Sequence, residues 1–91
     1  MIHVYIFCEK SKKIGLGHYY RSLNLKKILK NNFITKHFTN LNENQIRKKI
    51  FNIKEKSIVI LEFKNYKKNF FFKNDKLFYI TFDANKKFKN V

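Results

Sequence analysis

The apolar positions of the chain switch between two periods. Ile2-His3-Val4-Tyr5-Ile6-Phe7-Cys8 is a continuous run of β-branched and aromatic residues, the pattern of a strand covered on both faces. Glu9 to Leu16 is a polar loop rich in lysine that ends in glycine. From Gly17 to about Lys30 the spacing becomes helical, with His18, Arg21/Ser22, Leu25 and Ile28/Leu29 on one stripe. Asn31-Asn32 stops that helix, and Phe33 to Thr39 is a second, weaker strand. Asn40 or Asn42 can cap a helix running to about Asn52, with Leu41, Ile46, Ile50 and Ile53 as its apolar positions. Ser57-Ile58-Val59-Ile60-Leu61 is a third strand and the cleanest apolar run. Phe63, Tyr66 and Phe70 fit a short basic helix, and Leu77 to Phe82 is a fourth strand, closed by Asp83. Strands alternating with helices at this spacing predict an α/β fold with a parallel sheet and right-handed crossovers.

Length limits this to one domain. A chain of 91 residues buries roughly 60–65% of its unfolded surface, enough for one modest core. The single cysteine, Cys8, excludes an internal disulfide, and no Cys/His cluster has zinc spacing. Val4 to Cys8 is too short for a signal-peptide core or a membrane span. The expectation is a cytoplasmic domain, or part of one, with no metal, no cofactor and no membrane span.

The net charge of +15 suggests a polyanion partner at first sight, because clustered cations displace counterions from phosphates. Composition offers a plainer origin. Lys, Asn, Ile and Phe make up more than half of the chain, and all four have codons built only of A and T. Proline is absent, and there are one alanine, two glycines and two arginines against nineteen lysines. A site selected to grip phosphate through two parallel hydrogen bonds favours arginine, and these lysines are scattered from Lys10 to Lys89. Base composition is therefore the preferred reading of the charge, and a small basic module binding nucleic acid or another polyanion is the alternative.

Against that background one segment stands out. Both glycines, Gly15 and Gly17, lie within seven residues of Arg21, with His18 between them. The segment follows the first strand and opens the first helix. In an open parallel sheet this turn lies at the carboxyl end of the strand, where ligands bind. Glycines bring backbone N–H groups close to a ligand, and a helix N-terminus favours negative charge. The third glycine of the dinucleotide fingerprint is missing, because Tyr20 stands there. His18 lies two turns before Leu25 on one stripe, which aims it at the rim of the sheet. The helix dipole disfavours imidazolium there, and a neutral imidazole can take a proton from water. Two readings stay open: a general base, or a helix-start histidine that bonds its own loop. Arg21, one turn on, can orient a phosphate or fix an acid such as Glu9.

The segment Gly15-Leu16-Gly17-His18-x-x-Arg21-x-Leu23-x-Leu25 resembles the start of the UDP-sugar hydrolase family of the pseudaminic-acid pathway. That family is related to glycosyltransferases built from two Rossmann domains, including the lipid-linked GlcNAc transferase of murein synthesis. Ser57 to Glu62 and Tyr79 to Asp83 resemble two further strands of the family, each ending in an acid. The resemblance covers nearly the whole chain, with only the glycine-histidine-arginine segment specific. It implies a small Rossmann-like parallel sheet of about four strands and two or three helices, an incomplete N-terminal domain. It implies hydrolysis of a UDP-linked diacetamido-trideoxy sugar, with His18 as acid/base on the attacking water. Gly15, Gly17, Arg21, Glu9, Glu62 and Asp83 would line the substrate pocket. The chain departs from the family at Phe7 and Glu9, where Arg and Asp are expected, and at Glu62-Phe63-Lys64, where Asp-His-Tyr is expected. The family's second domain, which holds most of the nucleotide, has no counterpart in these residues. The chain alone is thus expected to be inactive, as a truncated or split product or as one subunit of a two-chain enzyme.

The remaining candidates have plain structural readings. Cys8 is expected to be a buried thiol rather than a nucleophile. His3 and His37 lie in strands without partners at ligand spacing and are expected to pack. Glu62 and Asp83, at strand ends, either line the crevice of His18 or are solvated. The lysine-rich Phe63 to Phe72 stretch is expected to be a crossover helix rather than a membrane-surface segment.

Overall fold

The computed structural model describes residues 2–8, 17–62, 70–82 and 89–90, with the side chains of residues 18, 82, 89 and 90 outside the description. The elements are β1 (His3–Cys8), α1 (Gly17–Leu29), β2 (Ile34–Thr39), α2 (Glu43–Phe51), β3 (Ser57–Glu62), β4 (Leu77–Phe82) and β5 (Lys89–Asn90). The sheet order is β2-β1-β3-β4-β5. The first four strands are all parallel, and the two-residue β5 adds antiparallel to the edge of β4. This is the Rossmann-like α/β arrangement expected, with β5 unforeseen. The expected loop from Glu9 to Leu16 lies outside the described residues, as do residues 63–69 of the expected third helix.

Period-two alternation along the strands separates two cores. Tyr5, Phe7, Val59, Leu61 and Tyr79 face α2, where Ile46, Ile50, Ile53 and Phe70 complete one cluster. Val4, Ile6 and Ile60 face the other way, under Leu25 and Leu29 of α1. A parallel strand buried on both faces has no polar side, which is why β1 and β3 read as unbroken apolar runs. On α1 the predicted stripe holds through Ser22, Leu25 and Leu29, while Ile28 is exposed.

The ends of the helices follow from local chemistry. Asn42, not Asn40, caps α2: the Gln45 amide donates to Asn42 Oδ1 at 2.8 Å, and the Asn42 amide donates to Gln45 Oε1 at 2.9 Å. Asn40 instead takes φ 54°, the left-handed conformation asparagine tolerates, as β2 turns toward α2. Lys26 and Lys27 end α1, and Lys48 and Lys49 end α2, each pair opposing the negative end of a helix dipole.

At the amino end of the sheet the Tyr5 hydroxyl donates to Glu55, and His3 Nδ1 lies 3.3 Å from the same carboxylate. Burial and the Glu55 hydrogen bond push Tyr5 up to about 12. His3 also stacks on Tyr5, with ring centroids 6.4 Å apart. It is therefore part of a polar rim rather than a simple packing residue.

Candidate functional site

Parallel pairing brings the carboxyl ends of three strands together. Cys8 is the register partner of Thr39 on one side and of Glu62 on the other. The first turn of α1 lies over these ends, tied there by two side-chain contacts.

The first is Arg21 with Glu62. Arg21 Nε donates to both carboxylate oxygens, at 2.8 and 3.1 Å, and Nη2 donates to Oε2 at 2.8 Å. Glu62 is fully buried, whereas the Arg21 side chain is 48% exposed. A carboxylate taken wholly out of water is costly unless paired and hydrogen-bonded. The planar fork of a guanidinium meets that requirement, and bonding to Glu62 in turn raises the Arg21 pKa. The pair crosses 41 positions of sequence. Arg21 therefore fixes the acid at the end of β3. Glu62 is not a solvated strand end, and Glu9 lies outside the described residues.

The second contact joins the next residue of α1 to β2. Ser22 Oγ lies 2.6 Å from His37 Nε2 and donates to the Tyr19 carbonyl at 2.8 Å. A hydroxyl has one proton. With it given to Tyr19, the His37 Nε2–H becomes the donor to Ser22 Oγ. Burial, with Lys26 nearby, holds His37 below the usual imidazole value, so the ring is neutral at pH 7. Cys8 Sγ lies 3.4 Å from the same nitrogen. Ser22 and Cys8 are buried. The expectation of packing alone for His37 is thus corrected: it is the polar junction of β1, β2 and α1. A signal for it existed, because period-two alternation puts His37 on the face of β2 that α1 covers. Cys8 fits its expected role as a buried thiol.

His18 is the second residue of α1, three positions before Arg21, so the two ties fix the helical turn that carries it. Its side chain lies outside the described residues, as do Glu9, Gly15 and Asp83. At Gly17 an added Cβ would meet nothing within 4 Å, and the backbone does not take a positive φ. Neither crowding nor conformation among the described residues requires glycine there. Open space at a helix start is what close approach of a ligand to backbone N–H groups needs.

Among the described residues no group of three His, Cys, Asp or Glu side chains could hold a metal ion. No described helix is long and apolar enough to cross a membrane. No family model, curated protein or solved structure matches the chain.

Proposed function

We propose that these residues form the histidine-bearing half of a nucleotide-sugar hydrolase, or of a closely related glycosyltransferase. The observation that carries this reading is the Arg21–Glu62 pair, which ties the turn bearing Gly17 and His18 to the carboxyl edge of a parallel sheet. That edge is where open α/β sheets bind ligands. In this reading a UDP-linked diacetamido-trideoxy sugar places its anionic diphosphate near the N-terminus of α1. His18 takes a proton from water as the water attacks the anomeric carbon, and UDP leaves. Gly15 and Gly17 admit the substrate to the backbone, and Arg21 with Glu62 holds the turn in place. Glu9 and Asp83, which directly follow β1 and β4 in sequence, would in this reading be further substrate-binding residues.

One wall of a cleft does not fix both reactants. Positioning can contribute ~7–11 kcal/mol to such a reaction, and in this reading the nucleotide-binding wall is supplied by other residues, in the same polypeptide or another. The test is UDP release from the sugar nucleotide, measured with and without a nucleotide-binding domain added in trans. Expected are no release by the 91-residue chain alone and release by the pair that His18→Ala abolishes. Release that His18→Ala leaves unchanged would overturn the reading.

A further inference from the structure

We propose that the outer stripe of α2 and the segment entering β4 form a groove that binds single-stranded nucleic acid. This inference does not rest on the hydrolase reading. The groove lies with α2, on the face of the sheet opposite α1 and the Arg21–Glu62 pair.

Asn44, Arg47, Lys48 and Phe51 follow i, i+3, i+4, i+7 spacing and share one side of α2, next to the inward stripe of Ile46 and Ile50. Together with Phe72 they line a groove of about 390 Å³. A second hollow, sharing Phe51 and Phe72, extends it past Lys73. Phe51 is 60% exposed, and its ring centroid lies 5.8 Å from that of Phe72, with the planes inclined by 44°. The Arg47 guanidinium carbon lies 5.7 Å from the Phe72 centroid. Among the described residues no acidic side chain lines either hollow.

Such a groove offers flat aromatic faces beside cations. Its ligand must carry flat apolar faces at short intervals along a negatively charged backbone. A single strand of nucleic acid does, because any base can stack on an aromatic ring while phosphates track the cations. A duplex keeps its base faces stacked on one another. An acidic peptide has the charge without a regular series of planar faces. Whatever the origin of its lysines, the net charge of +15 draws a polyanion toward the groove.

The test is fluorescence anisotropy of a labelled oligouridylate of about ten nucleotides, within the usual span of such grooves, over a range of salt concentrations. Phe51→Ala is expected to weaken binding about tenfold with the salt slope unchanged. Lys48→Gln is expected to lower that slope by about 0.7. Lys27→Gln removes an equal charge from an exposed position on α1 and is expected to cost less affinity. Phe51→Leu keeps apolar bulk without the aromatic face and serves if the alanine variant does not fold. An oligothymidylate bound in the same pattern equally supports the groove. Binding that ignores both Phe51 variants would overturn the proposal. So would Lys27→Gln matching Lys48→Gln, a duplex bound as tightly as the single strand, or binding confined to anionic vesicles.

Discussion

On the α2 face of the sheet, Phe7, Ile46, Ile50, Val59 and Leu61 pack together, and the buried polar residues there, Ser57 and Thr81, carry no charge. On the α1 face, Val4, Ile6 and Ile60 make a small apolar floor. Beyond that floor, toward the carboxyl edge, come Ser22, His37, Cys8 and a fully buried carboxylate, Glu62. Apart from the Tyr5–Glu55–His3 rim at its amino end, the first face is what hydrophobic burial alone would build. The second places a charge and a neutral imidazole where aliphatic side chains would serve the fold as well. Buried ion pairs add little net stability over well-packed apolar groups of similar volume. The difference sets the carboxyl edge of the α1 face apart as the part that hydrophobic burial alone does not explain.

Thermal or urea unfolding should separate the two faces. The largest loss is expected for Ile50→Ala, about 4 kcal/mol, because the side chain is fully buried and its truncation leaves a cavity in the core. Arg21→Ala should cost about 3 kcal/mol, at the lower end for breaking a buried pair, since the exposed side of Arg21 would admit water to Glu62. The contrast is sharpest in the double variant Arg21→Met/Glu62→Leu, which should recover to within about 1 kcal/mol of the parent. A double variant as unstable as Arg21→Ala would show that the pair serves the fold, and the contrast between the faces would fail. Ser22→Ala, which leaves the His37 Nε2–H with only the weakly accepting Cys8 sulfur, should cost about 1–2 kcal/mol.

The two faces should also respond to opposite ends of the pH scale. His37 is held below its ordinary value of 6.5. Its contribution is complete above that pH and is lost as pH falls and the unfolded chain takes up the proton first. Tyr5 is raised from 10.0 to about 12, so its contribution holds below pH 10.0 and is lost as pH rises through about 12. Unfolding free energies of His37→Gln and Tyr5→Phe across the pH range should flatten the acid and alkaline limbs respectively. The smallest effect is at Gly17, where alanine has open space. Its stability should change by less than about 1 kcal/mol, so any loss of ligand binding in Gly17→Ala would report on the ligand alone.

Local signals were readable from sequence and long-range ones were not. The four predicted strands lie within about one residue of their expected bounds, β1 and β3 because their apolar runs are unbroken, whereas β5 carries no such signal. The α1 stripe follows from simple periodicity, whereas the cap of α2 stays open between Asn40 and Asn42, because each has a capping-box partner three residues on, Glu43 and Gln45. That Arg21 closes on Glu62 depends on strand order β1-β3, which places residue 62 beside residue 8. No local pattern carries that fact. His37 was legible as an inward position of β2, but its meaning required Ser22 and Cys8 to arrive from two other elements.

The most direct test is an amide NMR titration of the 91-residue chain with the UDP-linked diacetamido-trideoxy sugar. Shift changes should centre on Gly17 to Arg21 and on the ends of β1 and β3 at Cys8 and Glu62, and should weaken in His18→Ala. Perturbations spread evenly over the lysine-rich surface, or a carboxyl edge that does not respond at all, would contradict the account.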